Sequence, residues 1–238
     1  MKKYLKVAHI LILCALVSSC KKNEPKPENI YIYGVAEDGE NNKYKTVDIN
    51  GKIWFTENLS CKLFRNGDTI VEARTKNEWE AALMNGIPAW CYCNNDSLLS
   101  EKYGIIYNFH AVRDSRGLAP NGWHISTSNE WQLLINKHGG EWNAGFDLKS
   151  TTGWPNNGNG SNSTKFNAFP GGVRTDIGTF MSIEENGYWW TSSKTDYYYD
   201  NYLIPGNYSV LLPSINNLVN IHDIGNWGYG MYVRCVKD

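Results

Sequence analysis

Lys43-Tyr44-Lys45-Thr46-Val47-Asp48-Ile49-Asn50-Gly51-Lys52-Ile53-Trp54-Phe55 is the segment whose reading decides the fold. Two runs rich in β-branched and aromatic residues flank Asn50-Gly51, a dipeptide that accepts the positive φ angles of a type I′ turn. The segment predicts a β-hairpin and places strands at the start of the folded chain.

Further along, Thr75-Lys-Asn-Glu78-Trp79 and Thr127-Ser-Asn-Glu130-Trp131 each set Thr three residues ahead of Glu. In that spacing the hydroxyl and the carboxylate satisfy each other's backbone N–H groups and start a helix. Trp79, Ala82 and Leu83, and likewise Trp131, Leu134, Ile135 and His138, then fall on one helical face, with stops at Gly86 and Gly139-Gly140. A third short helix is expected over 141–149, and 154–164 is too polar and too rich in Gly to be anything but a loop. Strands are expected at 188–191, 197–204, 208–212 and 229–236, where aromatic and β-branched residues stand between turn signals. Helices come mainly before strands, so the expected class is α+β, with helices packed on mainly antiparallel strands in one domain, 44–238.

The N-terminus reads as an export signal. Lys2, Lys3 and Lys6 precede an apolar run over 7–17 and then Ser18-Ser19-Cys20, the order of a signal peptide over 1–19. Spanning a bilayer takes about 20 apolar residues, more than this run supplies. Val17-Ser18-Ser19-Cys20 resembles the bacterial lipobox, which implies that Cys20 is acylated and becomes the mature N-terminus. Residues 20–43 are then the lipidated Cys, a tether and a lead-in segment; 21–29, charged and holding two prolines, would reach about 30 Å at most. Lys21 stands where lipoproteins kept in an inner membrane often carry Asp, which favours the outer membrane. The sequence leaves open whether the domain faces the periplasm or the medium.

Composition excludes several functions. The 238 residues carry 23 Lys plus Arg against 24 Asp plus Glu, a net charge of −1 that offers no basic footprint for nucleic acid. Without the three leader lysines the balance is 20 against 24, so anionic headgroups do not attract the mature chain. No Gly-x-Ser-x-Gly, phosphate-binding glycine loop, metalloprotease histidine pair or Asp-x-Asp-x-Asp-Gly calcium loop occurs. His110, His124, His138 and His222 show no ligand spacing. The expectation is a protein that is not an enzyme, with no cofactor and no metal site.

Six blocks together carry a family resemblance: Lys45-Thr-Val-Asp-Ile-Asn-Gly-Lys-Ile-Trp-Phe-Thr-Glu-Asn-Leu59, Tyr103-Gly-Ile-Ile-Tyr-Asn108, Pro120-Asn-Gly-Trp-His124, Phe169-Pro-Gly-Gly-Val-Arg174, Tyr188-Trp-Trp-Thr-Ser-Ser193 and Val233-Arg-Cys-Val-Lys-Asp238. They resemble, in order, the Fibrobacter succinogenes major paralogous domain. That family occurs in lipoproteins and secreted proteins and has no established biochemical function. The Gly-Trp segment before a helix, the long polar loop and the Cys on the last strand are also similar to the C-type lectin-like fold of sugar-binding lectins and formylglycine-generating enzymes. This second likeness implies a lectin-like α+β architecture and leaves room for calcium, although no loop speaks for it. Many relatives carry Cys-Pro before Gly-Trp-His where this chain has Ala119, so Cys235 is either free or finds another partner among Cys61, Cys91 and Cys93. In an exported protein these four are expected in disulfides, with the pairing open.

Sugars and extended polymers ask for flat apolar faces beside amides and hydroxyls. Trp154 with Asn156, Asn157 and Asn159 is the first candidate ligand site, and Tyr197 with Tyr199, alternate residues of a strand, is the second. The expected function is a lipid-anchored binding module of the cell envelope for glycan or a protein partner. The rival readings are an envelope enzyme on a formylglycine-generating-enzyme-like scaffold and a structural or adhesive subunit.

Overall fold

The computed structural model describes residues 33–195, 197–199, 202–222 and 228–238. The leader, Cys20 and the tether lie outside the described residues. The predicted hairpin is present: β2 (Lys43–Ile49) pairs with β3 (Lys52–Phe55) through Ile49 opposite Lys52, and Asn50 and Gly51 take φ of 57° and 85°. A strand before it, β1 (Tyr33–Glu37), adds antiparallel to β2, so part of the lead-in segment belongs to the sheet.

The chain continues through β4 (Val71–Glu72), α1 (Lys76–Met84), β5 (Ala89–Tyr92), α2 (Ser100–Tyr103), β6 (Ile105–Asn108), α3 (Phe109–Arg113), β7 (Trp123–Ile125), α4 (Ser128–Lys137) and α5 (Ala144–Leu148). Then come β8 (Val173–Arg174), β9 (Phe180–Met181), β10 (Asn186–Lys194), β11 (Tyr197–Tyr199), β12 (Tyr202–Ile204), β13 (Asn207–Pro213), β14 (Asn220–His222), β15 (Gly230–Val233) and β16 (Cys235–Lys237). Both expected capping boxes form, Thr75 with Glu78 and Thr127 with Glu130.

The α+β, C-type lectin-like expectation is overturned, because the fold is mostly β. One sheet has the order β1-β2-β3-β16-β7; a larger one runs β14-β13-β10-β15-β6-β5-β4, with β8 and β9 beside β15. Among the described residues the longest helix, α4, has ten residues, and α2, α3 and α5 have four or five, too short to form a layer over a sheet. The error has a physical source. Strands such as β4, β7, β8 and β9 have only two or three residues, so no period of two can be read from them. The stretch 197–204, expected as one strand, is instead the two strands β11 and β12, paired with each other in a sheet of their own.

Aromatic residues fill the interior in two clusters. Trp54, Trp79, Trp131, Phe166, Trp189 and Tyr232 centre one; Tyr44, Phe55, Trp90, Tyr107, Trp123 and Trp190 centre the other. Strand alternation lets β10 serve both, Trp189 pointing one way and Trp190 the other. Truncating any of these rings to Ala would cost about 3–5 kcal/mol.

The run 229–236, expected as one strand, breaks at Arg234, where the chain leaves the larger sheet as β15 and enters the smaller as β16. The Arg234 side chain is buried there. It donates to Asn58 Oδ1 at 2.6 Å and to the carbonyls of Phe55, Phe166 and Asn167, and its guanidinium lies 4.3 Å from the Phe166 ring. Burial pushes the guanidinium below its ordinary value, and these oxygen acceptors hold its charge in place.

Candidate functional site

Pairing of β10 with its neighbours builds a cleft of about 300 Å³ on one face of the larger sheet. Tyr188 stands opposite Leu211 on β13, and Ser209, two residues back, stands opposite His222 on β14. On its other side β10 runs parallel to β15 with Trp189 beside Tyr232, so Tyr188 and Met231, one residue earlier on each strand, share the opposite face. Tyr188, Leu211 and Met231 make the floor, and Ser209 and His222 make one side. The β8–β9 hairpin supplies the facing wall, where Val173 pairs with Met181 and Ser182 follows; Tyr229 closes the rim.

This lining combines flat rings with scattered polar groups. Tyr188 and Tyr229 are half-buried, so each leaves part of a ring to solvent. The Tyr188 oxygen accepts from Asn186 Nδ2 at 3.2 Å and keeps its own proton for a further acceptor. His222 has no hydrogen-bond partner among the described residues, which leaves both ring nitrogens for a guest. The volume sits at the lower end of ordinary small-molecule sites.

The residues expected to bind ligand are placed otherwise. Trp154 is 4% exposed; its Nε1 donates to Ala168 O at 2.9 Å and Ser150 Oγ at 3.1 Å, and Lys149 Nζ sits 4.7 Å from its ring. The ring is part of the core and offers no face to a ligand, a correction to the first candidate site. Asn156 and Asn157 are exposed turn residues at φ of 54° and 61°, and Asn159 Oδ1 accepts from the Trp154 N–H at 3.0 Å, so these amides serve the loop's own geometry. Tyr197 and Tyr199 lie on β11, and their side chains fall outside the described part. Of the described tryptophans, Trp142 alone is exposed, at 68%.

The disulfide expectation is also corrected, since Cys61, Cys91, Cys93 and Cys235 are all free and buried. Burial pushes the Cys61 thiol up to about 11 and Cys91 to about 12, and raises Cys93 and Cys235 as well. A thiol so placed stays protonated at neutral pH and is a poor nucleophile. Cys20 lies outside the described residues.

Two histidines meet carboxylates away from the cleft. His138 Nδ1 lies 3.0 Å from Asp147 Oδ2, while Asn50 Nδ2 lies 3.1 Å from Nε2; Asn50 donates there, so Nδ1 carries the proton given to Asp147. The ring thereby ties the hairpin turn to the end of α4 and to α5. His124 stands between Asp238 at 2.8 Å and Glu130 at 3.0 Å and joins the last residue to the α4 cap. Among the described residues no three His, Cys, Asp or Glu side chains come together as a metal site would require.

Sequence reading missed the cleft because its floor comes from residues 188, 211 and 231, which meet only after the strands pair. A usable signal was present in Tyr188 and Tyr229, each at the edge of an aromatic strand. In comparisons with known proteins, the model of the Fibrobacter succinogenes major domain matches residues 47–237. No curated protein and no solved structure matches the chain.

Proposed function

Because the chain belongs to the Fibrobacter succinogenes major domain family, whose members set no chemistry in advance, we propose its function from the cleft: a non-catalytic binding module of the cell envelope that holds a sugar-sized segment of a glycan. The carrying observation is the row Met231, Tyr188 and Leu211 beneath the Tyr229 rim, with Ser182, Ser209 and His222 around it. A pyranose presents an apolar C–H face and a ring of hydroxyls, and this lining meets both, the tyrosine rings by stacking and the Tyr188 and Ser182 hydroxyls and the His222 imidazole by hydrogen bonding. Buried, protonated thiols and carboxylate-bound histidines favour binding over catalysis.

The leader and the lipobox-like Val17-Ser18-Ser19-Cys20 support anchoring to the outer membrane through acylated Cys20. Exchanging Cys20 for Ala should move the protein into the soluble fraction; a variant that stays with the membranes contradicts the anchor. The binding reading is tested on a broad glycan array. Saturable binding that Tyr229→Ala weakens tenfold or more supports it, and silence across the array, or binding indifferent to Tyr229→Ala, counts against it.

A further inference from the structure

A second depression lies on the other side of the β8–β9 hairpin. Strand alternation sends the Val173–Met181 pair into the cleft and the neighbouring Arg174–Phe180 pair the opposite way. There they line an open hollow of about 480 Å³ together with the β4–α1 junction and the turn at Asn94-Asn95. Three cationic side chains, Arg74, Lys76 and Arg174, line this hollow, and no Asp or Glu is among its lining residues.

Arg174 gives the hollow its character. Its side chain is fully buried, stacked 4.6 Å from the Trp79 ring and 4.9 Å from that of Phe180, and its donors go to the carbonyls of Ala73, Arg74, Thr75 and Gly178. All these acceptors are neutral, and among the described residues no carboxylate pairs with it. Glu78 feels its charge, but the Glu78 carboxylate is turned to the N–H groups of Arg74 and Thr75 at 2.8 Å. A charge held away from water without a counter-ion projects its field into the nearest solvent-filled space, which here is the hollow. Arg74 and Lys76 stand at the rim with donors to spare. Arg74 Nε lies 3.2 Å from Glu72 Oε1, no hydrogen bond from the Arg74 terminal amino groups occurs among the described residues, and Lys76 has no ion partner among them.

We propose that this hollow binds an anionic oxygen group, the carboxylate of a uronic acid or a phosphate group, held by the terminal nitrogens of Arg74 and by Lys76 within the field of Arg174. The site is separate from the cleft and stands whether or not the cleft takes glycan.

The test is titration calorimetry of the full chain in detergent with tri-galacturonate and, separately, with inorganic phosphate. The expected result is saturable binding of at least one, weakened by added salt. In Arg74→Gln/Lys76→Gln, whose two positions are exposed, affinity should drop at least tenfold with an unchanged melting temperature, while Tyr229→Ala should bind as the parent does. Preference for the uronate names an acidic glycan, and preference for phosphate a phosphorylated ligand. Failure of both to saturate, or equal affinity in the double variant, overturns the proposal.

Discussion

Arg234 and Asn58, 176 positions apart, meet where the chain passes between the two sheets: the guanidinium Nε lies 2.6 Å from the Asn58 amide oxygen. The same oxygen accepts from Trp189 Nε1 at 2.7 Å, and Asn58 Nδ2 donates to Tyr103 O at 2.7 Å. Gly104, at φ of 76°, leaves room for the Asn58 Cβ, which would lie 2.8 Å from any Cβ placed there. One amide therefore connects the first β-hairpin's exit, the start of β6, the aromatic strand β10 and the sheet crossing at Arg234.

Replacing Asn58 by Ala would leave the buried Arg234 Nε–H and the buried Trp189 indole N–H without their acceptor, while the other guanidinium donors keep the carbonyls of Phe55, Phe166 and Asn167. The expected loss is about 3 kcal/mol or more, read from urea unfolding at neutral pH. A loss below about 1 kcal/mol would show that the crossing is held by other contacts.

Lys149 gives the fold a pH dependence. It is buried against Trp154 with Nζ 2.6 Å from Asn216 O, and burial pushes the ammonium down to about 8 from 10.5. Between those values the unfolded chain holds a proton that the folded chain has released, so this group makes stability rise with pH from about 8 toward 10.5. The raised thiols act in the opposite sense above about pH 9. The informative quantity is thus the difference between parent and Lys149→Met: the variant should be the more stable near pH 7, with the gap closing as pH rises. A constant gap would contradict the assignment.

Glu130 caps α4, accepts from the Thr127 N–H at 2.9 Å and meets both His124 and Lys52. Burial pushes its carboxyl up, but the Thr127 N–H and His124 outweigh this and leave it below its ordinary value. Its contribution is therefore present above the ordinary carboxylate range and lost as pH falls through the lowered value. Glu130→Gln should cost about 1–2 kcal/mol at pH 7 and less near pH 3, by urea unfolding at both.

Cys61, Cys91, Cys93 and Cys235 should resist alkylation in the folded protein at pH 7 and react together in denaturant, as mass spectrometry would show. Mass loss by two hydrogens under non-reducing conditions would reveal a disulfide and contradict the free-thiol arrangement.

Local chemistry was legible in the sequence and long-range pairing was not. Asn50-Gly51 fixes its turn by φ alone, and Thr75–Glu78 and Thr127–Glu130 fix helix starts by side chains three residues apart, so these elements follow from short stretches. Trp154 misled because the Pro-Asn-Asn-Gly after it does form a loop, while the indole turns back to Ala168 O, a contact no local pattern records. Val233-Arg-Cys-Val reads as one strand because Arg234 looks like an ordinary outward residue until Asn58 and three carbonyls surround it. The blocks that carry the family likeness meet largely here, so they record how the sheets join more than what the cleft holds.

The claim that the cleft is the binding site is tested most directly by methyl NMR of ¹³C-methionine protein. Met181 and Met231 line the cleft, whereas Met84, 80% exposed at the end of α1, lies outside its lining and serves as the control. With an oligosaccharide that binds on the array, the Met181 and Met231 signals should shift in step with saturation while Met84 stays fixed. Saturable binding that leaves Met181 and Met231 unmoved would place the ligand elsewhere and contradict the account.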